Sequence, residues 1–273
     1  MQKKEQEYAK STFNEVATKY DEIPFFKISA KYVVELISKY KTKEHLEVLD
    51  VACGTGNVVL ECASCMTHAT FDAIDISEGM LSKAKVNAEI LNLENISFHL
   101  QDVTKLELDK KYDVITCSYA LFFLPEAHDV LKQLTTLLEK EGILIFTSFT
   151  SKAFNPSSDI LLQLLKKYGS NSAKEYERDN WENLKKVEDI ERLCNMADIN
   201  NVVIESKIIR YGMSIDEWWE LFNNTGYKGM LMELSPENYE QVKQEFYEAM
   251  FKESDMDGEI ELIADSYFVV IKP

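Results

Sequence analysis

The sequence predicts an α/β protein with an open, mainly parallel sheet covered by helices on both faces. Three observations predict it. Between residues 47 and 149, short apolar runs of strand length alternate with stretches of helix length, which is the pattern of βαβ units. The runs are apolar throughout, as strands buried on both faces are. Apolar residues make up 45% of the 273-residue chain, enough for a complete core.

The elements follow in order. Residues 5–20 predict a helix closing in "FNEVATKYDEIPFF", and "ISAKYVVELISKY" predicts a second, with Tyr32, Val33, Leu36, Ile37 and Tyr40 at helical spacing. "LEVLDVA" is a buried strand and "NVVLECASCM" the helix after it. "ATFDAIDIS" is a second strand, followed by the helix "GMLSKAKVNAEIL". "ISFHLQDV" and "YDVITCSYA" are strands three and four. "AHDVLKQLTTLLEK" is a helix ended by Gly142, and "GILIFTSFT" is the fifth strand. Helices "SSDILLQLLKKYG" and "VEDIERLCNMADI" then lead to the strand "NNVVIESKIIRYG". Two further helices, "SIDEWWELFNNTG" and "SPENYEQVKQEFYEAMFK", precede a last strand, "EIELIADSYFVVIKP". The helical insertion between the two late strands, about 213–256, is foreign to a simple parallel repeat and reads as a cap.

Charge and composition narrow the function classes. The net charge is −17, and no Lys/Arg cluster is interleaved with aromatics, which argues against nucleic acid and anionic membranes as partners. No apolar stretch reaches the roughly 18–20 residues of a membrane helix. The charged start "MQKKEQEYAK" has no apolar run behind it, so a cytoplasmic location is expected. Five cysteines, Cys53, Cys62, Cys65, Cys117 and Cys194, fit reduced thiols. Cys62-x-x-Cys65 lacks the second pair of a structural zinc site, so no metal is expected.

The chemistry concentrates in "EVLDVACGTGN". Small residues at 52, 54 and 56 follow a strand and precede a helix. Such a turn puts backbone N–H groups and the positive helix end beside a ligand, at the carboxyl edge of the sheet. Asp75 lies 19 residues after Gly56, placed to accept hydrogen bonds from ribose hydroxyls. A dinucleotide fingerprint would need a third glycine that is absent. Asp50, just before the turn, suits a cationic amino-acid moiety better than a pyrophosphate, and S-adenosylmethionine carries that moiety.

The segments "VLDVACGTG", "FDAIDISEGMLSKAK", "FHLQDVTKLEL" and "YDVITCSYALFFLPE", with the leader "FNEVATKYD", resemble class I S-adenosylmethionine-dependent methyltransferases, closest to the ubiquinone/menaquinone-biosynthesis-like branch (methyltransferase type 11/25). The resemblance covers roughly residues 10–150 and 187–210. It implies a Rossmann-like, doubly wound, mainly parallel seven-stranded sheet with the last strand antiparallel. The chain is then expected to divide into an N-terminal helical lid (1–40), a cofactor-binding core (41–150), helices and a strand completing the sheet (151–212), a helical cap (213–256) and a C-terminal core strand (257–273). The cofactor implied is S-adenosyl-L-methionine, giving S-adenosyl-L-homocysteine.

Site roles follow from the same resemblance. Asp50 and the turn Ala52, Cys53, Gly54 and Gly56 would hold the methionine end. Asp75 would take the ribose, with Ile76 and Met80 against the adenine. Asp102 and the Val103 amide would meet the adenine edge, Ser118 and Tyr119 the sulfonium, and Tyr20 would fold over from the lid. Ala52 stands where many members have glycine. Plain structural readings stay open beside these: Asp50 as a turn cap, Asp75 as a helix cap beside the better-suited Ser77, Asp102 in an Asx turn, and Tyr20 and Met80 as packing residues.

A small-molecule acceptor is expected, since "CSYALFFLPE" is unlike the N-P-P-Y type of base-directed enzymes. Phe25, Phe26, Tyr119, Phe122, Phe149, Trp218, Trp219 and Phe222 are its candidate lining, with one of the adjacent tryptophans reaching the pocket. Residues 211–273 hold 14 Asp/Glu against 4 Lys, a field that would draw a cationic acceptor or merely solvate helix surfaces. No catalytic residue emerges. His45 and His68 fall at the wrong end of the sheet and His99 mid-strand, while His128 falls near the right end. A monomer or homodimer is expected. Other readings are a cofactor-binding regulator or scaffold, a thiol-dependent arsenite methyltransferase needing three converging cysteines, and a dinucleotide oxidoreductase.

Overall fold

A computed structural model describes residues 2–106, 108–176, 181–256 and 258–272. Residues 1, 107, 177–180, 257 and 273, which fall within the expected lid, core, sheet-completing segment and last strand, lie outside the described residues. The elements are α1 (Gln2–Val16), α2 (Pro24–Tyr40), β1 (Glu47–Val51), α3 (Asn57–Cys65), β2 (Thr70–Asp75), α4 (Glu78–Ile90), β3 (Ile96–Leu100), β4 (Tyr112–Ser118) and α5 (Ala127–Thr136). They continue with β5 (Leu138–Phe149), α6 (Ser157–Lys167), α7 (Asn171–Tyr176), α8 (Val187–Met196), β6 (Val202–Ser214), α9 (Ile215–Asn223), α10 (Tyr227–Met232), α11 (Pro236–Glu253) and β7 (Glu259–Ile271).

The seven strands form one sheet in the order β3-β2-β1-β4-β5-β7-β6. The β1–β2, β1–β4, β2–β3 and β4–β5 pairs are parallel, and β7 runs antiparallel to both β5 and β6. The doubly wound sheet with its last strand reversed is therefore as expected. Central β1 and β4 are buried on both faces, while the edge strand β3 is largely exposed, the burial that sets uniform apolar runs apart from mixed ones.

The chain departs from the sequence reading at three places. Helix α5 ends at Thr136 rather than near Gly142, because β5 already begins at Leu138. The pairing with β4 slips between Tyr112↔Leu138 and Val114↔Ile143. A Cβ on Gly142 would lie 2.9 Å from the Glu139 carbonyl oxygen, so glycine serves that irregularity and not a helix end. The first helix stops at Val16, and a separate 3₁₀ turn, Tyr20–Glu22, follows. Short helices α7 and α10 form where no periodic signal is long enough to reveal them.

Three large cores result. Two cover the faces of the sheet: Leu49, Ile115, Leu131, Leu144 and Val269 contribute to one, and Val33, Val48, Val59, Phe71, Val114 and Val270 to the other. The third lies beyond the carboxyl edge of the sheet. It joins the start of α2, helices α6 and α9–α11, and the long β6–β7 ribbon through Phe25, Leu161, Trp218, Phe222, Phe246 and Leu262. That ribbon pairs without a break from Val202↔Ile271 to Ser214↔Glu259, so it carries the α9–α11 helices out over the strand ends.

Candidate functional site

The turn after β1 is built from left-handed residues. Ala52, Gly54 and Gly56 have φ of 52°, 56° and 89°. A Cβ on Gly54 would meet nothing within 4 Å, whereas one on Gly56 would press on Leu60 at 3.1 Å. Gly54 thus leaves open space over the turn, and Gly56 seats α3. The Gly54 N–H donates to Asp75 Oδ2 (2.8 Å) and the Ser77 N–H to Asp75 Oδ1 (2.8 Å). Burial pushes the Asp75 carboxyl above its ordinary value. Ser77, not Asp75, caps α4, its Oγ accepting from the Met80 N–H.

Asp50 is deeper. Its Oδ1 accepts from Thr116 Oγ1 at 2.7 Å, while its Oδ2 is buried with no partner. Burial pushes this carboxyl up to about 7, against the lowering effects of the Thr116 hydroxyl and of the nearby Val59 N–H in the first turn of α3. A buried acceptor left unpaired is costly and calls for a donor.

Two cavities lie against the turn, and a third adjoins them. The first, about 110 Å³, is lined by Tyr20, Ala52, Gly54, Asp75, Ile76, Met80, Asp102, Val103, Ser118 and Tyr119 among others. The second, about 50 Å³, adds Asp50 and Cys53. The structure therefore brings together every expected cofactor residue except Gly56. The third cavity, about 170 Å³, is lined by Phe25, Phe26, Phe122, Phe149 and Phe154, and by Leu221 and Met230 from α9 and α10. Tyr20 and Tyr119 line all three. Tyr20 stacks on Phe26 with centroids 4.5 Å apart, and Tyr119 on Phe149 at 4.4 Å. Tyr119 sits at φ 53°, its hydroxyl 2.8 Å from Ser29 Oγ, and burial pushes that phenol up to about 12.

Residues 42–226 match the methyltransferase-domain family. The chain belongs to this family. It is 30% identical over 146 residues to malonyl-acyl-carrier-protein O-methyltransferase of Bacillus anthracis, covering 52% of each chain, so it spans about half the length of the curated relatives it matches. Its fold is similar to that of the YcgJ protein of Bacillus subtilis (TM-score 0.56, 15% identity, 89% of this chain and 98% of that one). It is also similar to the plantazolicin methyltransferase BpumL, solved with a triazolic desmethylPZN analog and SAH (TM-score 0.55, 19% identity, 100% and 99%).

Several residues in and around these cavities escaped the sequence reading. Asp21 fastens the 3₁₀ turn to the glycine turn: Oδ1 accepts from Thr55 Oγ1 (2.5 Å) and Asn57 Nδ2 (3.2 Å), and Oδ2 from Asn87 Nδ2 (2.7 Å). Asn14 Oδ1 accepts from Ser77 Oγ and the Gly79 N–H. Only the pairing of Tyr20 with an acid in "KYD" hinted at it. Gln101 lines the first cavity with its Oε1 buried and unpartnered. The neighbouring Asp102 is in an Asx-type cap, Oδ1 accepting from the Thr104 N–H and hydroxyl, with Lys105 3.2 Å from Oδ2. Burial raises its carboxyl, but Thr104 and Lys105 outweigh that and hold it below the usual range.

The acceptor lining expected from α9 is corrected. Trp218, Trp219 and Phe222 do not line the third cavity. They are buried in the core behind it, because α9 turns the 218, 219, 221 and 222 faces inward together. Trp218 Nε1 donates to the Ile260 carbonyl (3.3 Å), and Trp219 packs against Tyr239 and Phe246. His128 lies at the start of α5 between Glu126 and Asp129 at 3.8 and 3.7 Å, outside the three cavities. His45 meets the His68 carbonyl, and His99 meets Asp72. Among the described residues no three cysteines converge. Four of the five thiols are buried, and burial pushes those of Cys53, Cys62, Cys117 and Cys194 up, so arsenite chemistry has no thiol site here.

Proposed function

We propose that this chain is an S-adenosylmethionine-dependent methyltransferase acting on a small-molecule acceptor. One observation carries the reading: three buried oxygens without partners, Asp50 Oδ2, Gln101 Oε1 and Ser118 Oγ, belong to residues lining the first and second cavities around an open glycine turn. A nucleoside linked to a cationic amino acid supplies the donors they lack. Asp50 would hold the ammonium, Asp75 the ribose hydroxyls, Gln101 or Asp102 the adenine amino group, and Ile76, Met80 and Val103 the adenine faces.

The cofactor supplies an electrophilic methyl on a sulfonium. What the chain's residues do is align and dry the site. Tyr20 and Tyr119 stand between the cofactor cavities and the aromatic third cavity, which would hold the acceptor. Alignment of the acceptor and exclusion of water are the main contributions a protein makes to an in-line displacement. The open third cavity favours an enzyme over a scaffold whose acceptor site has closed. Residues 1–40 would act as the lid and 213–256 as the cap, on a core of 41–150 completed by 151–212 and 257–273.

The net charge of −17 supports an acceptor other than nucleic acid. No helix among the described residues is long and apolar enough to cross a membrane. Five free thiols support a reducing, cytoplasmic setting. One chain lines all three cavities, which supports activity as a monomer or homodimer. The test is calorimetric titration with S-adenosylhomocysteine and with NAD(H), on wild type and Asp75→Ala. Micromolar binding of the former, weakened about tenfold or more by the substitution, is expected. A preference for NAD(H), or no binding of S-adenosylhomocysteine, would overturn the reading.

A further inference from the structure

The third cavity is mainly aromatic, yet one cation stands in its lining, Lys185. Its Nζ lies 3.9 Å from the centroid of the Tyr176 ring, and no carboxylate among the described residues lies within ion-pair distance of it. Lys19, Lys43, Lys110, Lys132 and Lys167, by contrast, each meet an acid. The backbone at Lys185 is fixed on the end of β5: the Ser151 N–H donates to the Lys185 carbonyl (3.1 Å), and Ser148 Oγ donates to the Leu184 carbonyl (3.0 Å).

Lys185 is half-buried, and its ammonium rests on the Tyr176 ring rather than against an acid. Lys185 stands two residues before α8 begins at Val187, and the acids of that helix's first turn, Glu188 and Asp189, complement the helix end rather than the Lys185 ammonium. The acid in the same lining, Asp159, is exposed in the first turn of α6, where it complements that helix's own positive end. Asp159 is thereby engaged with its own helix, while Lys185 meets an aromatic ring and no acid among the described residues. A second, independent observation points to a ligand. Thr225 also lines this cavity, and its Oγ1 is buried with no hydrogen-bond partner.

We propose that the methyl acceptor is a flat, apolar molecule bearing a carboxylate, and that Lys185 and Thr225 bind that carboxylate as a handle. This rests on the third cavity being the acceptor site. Lys185, Tyr176 and Thr225 line that cavity alone, whereas Tyr20, Tyr119 and Phe123 line it together with the first. The handle is thus set apart from the atom that receives the methyl group. The surrounding aromatic rings cover the acceptor's faces.

The test uses the full chain and three probes of one shape: 2-naphthoate, 2-naphthamide and 2-naphthylmethylammonium. S-adenosylhomocysteine is titrated first by calorimetry, then each probe, on wild type, Lys185→Met, Lys185→Arg and Thr225→Val, with thermal unfolding confirming that each variant is folded. The naphthoate is expected to bind wild type about tenfold or more tighter than the amide. Lys185→Met should bring the naphthoate to the amide's affinity and leave the amide unchanged. Lys185→Arg should keep the preference, and Thr225→Val should reduce it. Equal or tighter binding of the amide or the ammonium overturns the proposal, as does a preference that survives Lys185→Met or no naphthoate binding up to about 10 mM. Loss of S-adenosylhomocysteine binding alone, with the acid preference intact, sinks the cofactor reading and leaves the handle standing. The reverse pattern sinks only the handle.

Discussion

Asp50 shows what a single side chain costs and returns. Its carboxyl titrates near 7 in the folded chain against about 4 when unfolded. Its contribution to stability is therefore intact below pH 4 and is lost as pH rises through 7, amounting to about 4 kcal/mol above that. An ammonium beside Oδ2 favours the ionised form, so ligand binding should release a proton near neutrality. We expect the affinity for S-adenosylhomocysteine to rise between pH 6 and about pH 8, with a binding heat that depends on the buffer's ionisation enthalpy. Asp50→Asn should abolish that dependence and weaken binding about tenfold to a hundredfold, while leaving the free protein no less stable at pH 8. A pH-independent wild-type affinity would show that Asp50 does not meet the ammonium. Gly54 illustrates a second residue-scale rule: with φ at 56° and open space above it, it serves both conformation and ligand access.

At the scale of elements, α1 and its 3₁₀ turn are held to the site by few but well-placed bonds. Asp21 receives three side-chain hydrogen bonds from Thr55, Asn57 and Asn87, and Lys19 reaches Glu220 of α9. Removing the carboxylate in Asp21→Ala should cost about 2–3 kcal/mol of lid closure. Faster amide exchange over α1 and about tenfold faster release of S-adenosylhomocysteine in stopped flow are expected, and unchanged exchange would mean that other contacts hold the lid. Helix α9 makes the opposite case. Trp218 is 0% exposed, so Trp218→Ala should lower unfolding stability by about 3–5 kcal/mol in a denaturant titration. Cofactor affinity below the transition should stay within about threefold, because the ring pins α9 to β7 and lines none of the three cavities. A large loss of affinity in a stable variant would put the ring back in the site.

For the molecule as a whole, 47 acids against 30 basic residues produce self-repulsion. Raising the salt from about 20 mM to about 200 mM shortens the Debye length below the spacing of surface charges. The midpoint of thermal unfolding should rise by a few degrees over that range, and a fall would mean that ion pairs such as Lys110 with Glu47 and Asp72 outweigh the net repulsion. The acids of the α9–α11 region are largely engaged outside the acceptor cavity. Glu245 pairs with Lys167, Glu220 with Lys19, and Glu233 accepts from Ser170 and Ser172 around the start of α7. Their number therefore does not make the cavity acidic.

The sequence by itself determined the parallel part of the sheet and the glycine turn, while the one reversed strand came only from the family resemblance. Uniform apolar runs such as "VLDVA" and small residues at 52, 54 and 56 encode these locally, through burial periodicity and left-handed φ. It also marked Asp50 and Asp75, whose places at strand ends follow from strand length alone. What only the tertiary structure decided is which side chains face the cavities. Trp218 and Trp219 point into a core because three helices and a strand ribbon converge on them. Gln101 faces a cavity with its Oε1 unpaired while its neighbour Asp102 is held by Thr104 and Lys105, and Asp21 and Lys185 arrive from segments far away in the chain. Such placements depend on contacts between distant residues, which no periodicity records.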